Sequence, residues 1–167
     1  MDFIVRSAAK GDIAAVDALL ARTYPRLLKP DYPPSVLVTA LPLISRAQPA
    51  LVTSGTYYVA EDAAGRILGA GGATAAIPGK PGLAEAGRAN VRHVVTDDRA
   101  VRRGVGRAIH SRCFDAARAK GMIWMHCLST RTAVPFYRAM GFIELGEVTV
   151  PLAPGIDFPA VEMRRDL

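Results

Sequence analysis

Cysteine is scarce in this chain: Cys113 and Cys127 are the only two among 167 residues. That is too few for a disulfide-stapled scaffold, and neither stands at zinc-ligand spacing from His93, His110 or His126, so no metal site is expected. A reducing, cytoplasmic setting fits this usage best. Long apolar runs are also missing. None approaches the roughly 18 residues that a bilayer crossing needs, so no membrane partner is expected. The first residues, MDFIVRSAAKGD, lack the basic start and apolar stretch of a secretory leader, and none is expected.

Half of the residues are hydrophobic and 22% are charged, enough apolar material for a packed core. The length suits one domain spanning 1–167, with no repeat, linker or low-complexity segment in it. The net charge is +6, and its placement says more than its sum. Between Arg88 and Arg138 the balance is +8, whereas the remainder of the chain is at −2. A polyanionic partner must therefore meet one segment. Arginine supplies 17 of the 21 basic residues, and its planar fork suits phosphate, although a general preference for arginine produces the same count. Few aromatics for stacking and no recognisable nucleic-acid motif accompany the basic segment, so nucleic acid is not the expected partner.

Phe3 to Val5 reads as a short strand. Asp12 is placed to cap a first helix, whose apolar face Ile13, Val16, Leu19 or Leu20 and Thr23 runs up to Tyr24-Pro25. Six prolines between Pro25 and Pro49 suggest a short broken helix among loops, the kind of segment that lines binding sites. Thr56–Glu61 and Arg66–Ala76 form a hairpin through Asp62-Ala63-Ala64-Gly65. Gly69, Gly71 and Gly72 in its second strand point to a bulge or to the close approach of another group. Val91–Thr96 is a strand. Val105, Ile109, Cys113 and Ala117 make an apolar stripe on a helix that Gly121 ends. Met122–Leu128 is a strand, Ala133–Met140 a short helix and Phe142–Val150 another strand, with Ala160–Arg164 closing the chain. A hairpin followed by alternating strands and helices means a mixed sheet covered by helices, an α/β class.

A strand that runs into Arg102-Arg103-Gly104-Val105-Gly106-Arg107 and then a helix presents unpaired amides at the positive end of the helix dipole. Glycine at 104 and 106 lets the backbone come close to a pyrophosphate, and three arginines add charge there. The pattern is neither a Walker sequence nor the dinucleotide GxGxxG. Taken with Val94-Val95-Thr96 before it and with Ala133, Phe136-Tyr137 and Gly141-Phe142 after it, this order and spacing resembles the acetyl-CoA signature of the GCN5-related N-acetyltransferase (GNAT) family.

That resemblance implies the GNAT fold, a mixed six- or seven-stranded sheet with splayed central strands flanked by helices. It implies acetyl-CoA as acetyl donor, its pantetheine arm paired with the backbone of Val94, Val95 and Thr96. Arg102, Arg103, Gly104, Val105, Gly106 and Arg107 then hold its phosphates, and Thr130, Ala133 and Phe136 complete the cofactor site. Two positions depart from the family pattern: Val101 stands where Gln or Arg usually begins the turn, and Thr130 where many members carry Asn. Tyr137 is given the task of hydrogen-bonding the leaving thiolate; from the residues alone it reads as a buried aromatic beside Phe136 and Phe142 with its hydroxyl satisfied. The oxyanion donor is expected near Val95. His93 and Glu61 are candidate bases, and for His93 a satisfied strand-face histidine or a contact with Asp97 is the competing reading. The expected reaction is direct attack by a primary amine of a small molecule or peptide on acetyl-CoA, with a non-catalytic acyl-CoA sensor as the alternative. Tyr24, Tyr32, Tyr57 and Tyr58 could line an acceptor pocket, and exposed sheet edges leave room for a homodimer.

Overall fold

A computed structural model describes residues 2–80 and 82–167. In chain order the elements are β1 (Phe3–Ser7), α1 (Ile13–Leu28), α2 (Pro34–Ile44), α3 (Pro49–Val52), β2 (Tyr57–Asp62), β3 (Ile67–Thr74), β4 (Arg88–Thr96), α4 (Val105–Ala119), β5 (Trp124–Ser129), α5 (Val134–Ala139), β6 (Ile143–Ala153) and β7 (Ile156–Asp166). The strands form a seven-stranded sheet in the order β1-β2-β3-β4-β5-β7-β6. Every neighbouring pair is antiparallel except β4 and β5.

Each face of the sheet buries apolar stripes read from the chain. On one face Val16, Leu19 and Leu20 of α1, with Leu51 and Val52, pack on Tyr57, Val59, Ala70 and Val95. On the other face the α4 stripe Val105, Ile109, Cys113 and Ala117 packs on Tyr58, Leu68, Met125, Cys127 and Met163. Side chains are not permitted where α4 crosses β3. A Cβ on Gly69 would lie 2.7 Å from Val105 Cγ1, and one on Gly71 would lie 2.8 Å from Val94 Cγ2. The glycines therefore mark both features expected of them, a close helix approach and a bulge, since the β3–β4 register shifts between Ala70 and Gly72.

The central pair of strands separates. β4 meets β5 only from Arg88 to Asn90, opposite Trp124 to His126. Beyond that point β4 stays with β3 as far as Thr96, while β5 stays with β7 as far as Ser129. A V-shaped gap opens between Val91–Thr96 and Cys127–Ser129.

Three expectations are corrected. The Pro25–Pro49 segment is largely helical: α1 runs through Pro25 to Leu28, and α2 fills 34–44. Pro34 and Pro49 stand at the first helical positions of α2 and α3, where the missing N–H has no partner to lose, so these prolines start helices. Asp12 does not cap α1, because its carboxylate is taken by Arg6 at 2.8 and 2.9 Å and by the Ala9 amide at 2.7 Å. The closing strand is longer than Ala160–Arg164, and it inserts between β5 and β6, pairing with both.

Candidate active site

His93 is the hinge of β4. Its φ is +50°, a left-handed conformation that side chains seldom adopt, and it sits where the ladder to β3 slips. Two tyrosine hydroxyls hold this bulge. Tyr57 donates to the His93 carbonyl at 2.7 Å, and Tyr24 donates to the Val94 carbonyl at 3.0 Å. The imidazole does not contact Asp97; its Nε2 meets the Ile44 carbonyl at the end of α2, at 2.8 Å. A carbonyl only accepts, so Nε2 carries the proton and Nδ1 is the acceptor. Burial pushes the His93 pKa below its ordinary value, outweighing the Ile44 bond, which acts in the opposite sense.

Backbone alternation decides which amides face the gap. The Asp97 amide bonds the Leu68 carbonyl at 2.8 Å, so Asp97 and, two residues back, Val95 turn their polar groups toward β3. Val94 and Thr96 turn theirs into the gap. Val95, expected to pair with the cofactor arm, points the other way, toward β3.

Tyr137 approaches the same gap from α5. It is 5% exposed, edge-on to Phe136, Phe142 and His110. Burial, then the nearby Cys127 and Tyr24, raises its pKa well above the ordinary phenol value. It stays a hydroxyl and a donor. The Cys127 thiol is near enough to influence this hydroxyl. Tyr24 comes from the opposite face of the sheet, and the two phenols feel each other through the opening between β4 and β5. The thiols of Cys113 and Cys127 are pushed by burial up to about 12, so neither supplies a thiolate near pH 7.

The turn after β4 is tied to α1 by Arg22–Asp97 at 2.5 Å and Arg26–Asp98 at 3.2 Å. Burial pushes the Asp97 carboxyl up, but hydrogen bonds from Arg99 and the charges of Arg22 and Arg99 outweigh it and hold it at about 2. Arg102 then adopts φ +64° and Gly104 φ +80°, and α4 starts at Val105 with no side chain capping its first turn. The free amides of Val105, Gly106 and Arg107 point past an exposed cluster of Arg102, Arg103 and Arg107, none of which has an acidic partner among the described residues. Gly106 has a packing reason as well: a Cβ there would lie 3.1 Å from Phe136 Cε1 and 3.4 Å from Thr96 Oγ1. The side chain of Val105 belongs to the core. A cleft of about 460 Å³ opens beside Arg107, with Arg118 and Arg165 also on its wall.

The remaining sequence candidates divide. Thr130 Oγ1 accepts from the Ala133 amide at 3.2 Å, so it shapes the start of α5. Phe136 covers Gly106 and touches the His110 ring at a centroid distance of 5.1 Å. Glu61 lies on β2, bonded to Arg6 at 2.8 Å and separated from the gap by β3, so it is no base there. Tyr58 is in the core and Tyr32 stacks on Phe158, leaving Tyr24 and Tyr57 as the tyrosines of that set whose hydroxyls reach the β4 bulge. Arg92 and the Glu162–His126 contact at 2.7 Å also flank it. Neither was legible beforehand, because each depends on partners 18 to 44 residues away in the chain.

A parallel strand pair split open beside an uncapped, arginine-ringed helix start has the chemistry to suit an extended, phosphorylated ligand. The family profile for the acetyltransferase (GNAT) domain matches residues 53–144, more than half of the chain, and the chain belongs to the GNAT family of acetyl-CoA-dependent N-acetyltransferases. Its fold is similar to that of a GCN5-related N-acetyltransferase from Rhodopseudomonas palustris (TM-score 0.79, 17% identity, covering 100% of this chain and 97% of that one). It is also similar to PaiA N-acetyltransferase from Thermoplasma acidophilum, solved in complex with coenzyme A (TM-score 0.73, 11% identity, 100% of both chains). A third, from Kribbella flavida, is 23% identical with a TM-score of 0.65, over 99% of this chain and 98% of that one. No curated protein sequence matches the chain. Among the described residues no helix is long and apolar enough to cross a membrane, and no group of potential metal ligands occurs.

Proposed function

We propose that this enzyme transfers the acetyl group of acetyl-CoA to a primary amine of a small molecule or peptide, by direct attack while both substrates are bound. The observation that carries this reading is the split between β4 and β5 beside an uncapped, arginine-ringed helix start, where Tyr24 bonds the Val94 carbonyl, stands edge-on to the His93 ring at 6.0 Å and helps raise the pKa of Tyr137. The residues present suit the cofactor: first-turn amides and Arg102, Arg103 and Arg107 for its phosphates, and the gap-facing backbone of Val94 and Thr96 for its extended arm. Bound there, acetyl-CoA supplies an acetyl thioester to the attacking amine.

The chain's own groups then divide the work. The Val94 N–H donates to the thioester oxygen as it gains charge, a contribution that grows in a dry site. His93 Nδ1, neutral because burial disfavours the cation, accepts the proton that the amine must lose, directly or through water. Tyr137 donates its O–H to the departing sulfur. Its raised pKa favours donation over ionisation, and a thiolate is a better acceptor than the nearby Cys127 thiol. With both cysteines protonated, no acyl-enzyme is expected on sulfur.

The test is release of free thiol from acetyl-CoA across an amine panel, beside calorimetric binding of acetyl-CoA. Amine-dependent release is expected, and Tyr137→Phe should lower kcat about 100-fold, the loss of one acid contribution, while binding persists. Tight acetyl-CoA binding with no transfer to any amine would instead favour a sensing module. Unchanged kcat in Tyr137→Phe would remove that residue from the mechanism.

A further inference from the structure

The face of β4 turned away from α4 carries Arg92, one residue before the bulge. Ala89 packs into the α4-side core and Val91 against it, so alternation places Arg88, Asn90 and Arg92 on the opposite face. There Arg92 is partly buried, and its polar contacts are neutral. It donates to Thr74 Oγ1 at 3.2 Å and to Gln48 Oε1 at 3.3 Å. Thr74 Oγ1 meanwhile gives its own hydrogen to the Ala76 carbonyl at 2.9 Å. The rest of the basic segment is accounted for differently. Arg88, Arg99, Arg118 and Arg138 reach carboxylates, Arg112 and Arg131 lie over tyrosine rings, and Lys120 is exposed. Arg102, Arg103 and Arg107 are exposed at the phosphate turn. Arg92 is a partly desolvated guanidinium with neither an anion nor an aromatic face among the described residues, and burial lowers its pKa. An unpaired charge in such a place is costly unless a ligand completes it.

Its position says which ligand. The phosphate turn lies beyond the Thr96 end of β4, so a cofactor arm running back along the gap reaches Val94 with its thioester. Arg92 lies two residues farther on, across the His93 bulge, on the face away from α4. A small acceptor whose amine sits at Val94 and His93 has its other end at Arg92. A single guanidinium with neutral neighbours matches one carboxylate through paired N–H donors, whereas a dianionic phosphate calls for more positive charge.

We infer that Arg92 is the specificity-determining residue of the acceptor site and that the acceptor is an amine bearing a carboxylate, an amino acid or a short peptide binding through its free acid. This rests on the transferase reading above and narrows its substrate class. The test compares amino acids and dipeptides with their carboxamides as acetyl acceptors, for the wild type, Arg92→Gln and Arg92→Lys. The wild type should prefer the acids. Arg92→Gln should lower kcat/KM for the acids about 100-fold, chiefly through KM, and change it less than about twofold for the amides, while Arg92→Lys recovers part of the loss.

Equal use of acids and amides by the wild type overturns the proposal while leaving the transferase reading in place. So does an equal loss for both in Arg92→Gln, which is the mark of a merely structural arginine. Failure of every amine to consume acetyl-CoA counts against the transferase reading alone. In that case thermal shifts with N-acetyl amino acids, added to the CoA-loaded protein, decide. A shift that is absent with the corresponding amides and lost in Arg92→Gln supports carboxylate recognition, and no shift, or one that survives the substitution, refutes it.

Discussion

At its Thr96 end β4 leads into a turn that offers amides and exposed arginines, whereas before the bulge the groups on offer are side chains delivered by distant parts of the chain. The phosphate end is local. Arg102 to Arg107 lie within one turn, and their first-turn amides need only Gly104 at φ +80° and a helix with no cap. The acceptor end is assembled. His93 is oriented by Ile44, its carbonyl by Tyr57, the Val94 carbonyl by Tyr24, and Arg92 by Gln48 and Thr74. The lesson is that one strand offers backbone amides from a short local segment at one end and side chains set by distant parts of the chain at the other.

The largest effect that tests this contrast lies beneath the phosphate end. His110 is 1% exposed, its Nδ1 donates to the Gly106 carbonyl at 3.1 Å, and its Nε2 has no partner. Burial lowers its pKa to about 4, outweighing the Gly106 bond. A depressed value means that the unfolded chain takes the proton first. The stabilising neutral form is therefore fully in place above about pH 6.5 and is lost as pH falls from there toward 4, by about 3 kcal/mol in all. Denaturant melts from pH 7 to pH 4 should show that loss, and His110→Asn, whose amide can still donate to Gly106, should flatten it in this window. A wild-type curve that is flat there would mean that the α4 start is not held by a neutral imidazole.

A smaller effect separates binding from stability. Arg102 holds φ +64°, a conformation that costs a side chain about 1 kcal/mol and glycine little. Arg102→Gly should raise the melting midpoint slightly while weakening acetyl-CoA binding several-fold, more so at low salt. The acceptor KM should not move. A change in acceptor KM instead would show that the two ends are not separate.

Legibility in the sequence follows the same division. The α4 stripe, the Asp62–Gly65 hairpin, the helix close to Gly69 and the arginine turn all rest on short spacings, and each is present. Pro34 and Pro49 misled, because a proline that begins a helix and one that breaks it look alike until the neighbouring turns are packed. β7 could not be placed between β5 and β6 from its own residues, since its partners are set by where β5 leaves β4. For the same reason Arg92 was invisible as a site residue. Arg88 has Glu85 three residues before it, at 3.2 Å, whereas the neutral partners of Arg92, Gln48 and Thr74, come from elsewhere in the chain.

The most direct measurement of the central claim, that the gap holds cofactor and acceptor together, is the initial rate of CoA release with acetyl-CoA and the amine both varied. Intersecting double-reciprocal lines are predicted, with no acetyl group retained on the protein when acetyl-CoA is added alone. Parallel lines, together with an acetylated Cys127 or Tyr137 found by mass spectrometry, would contradict it.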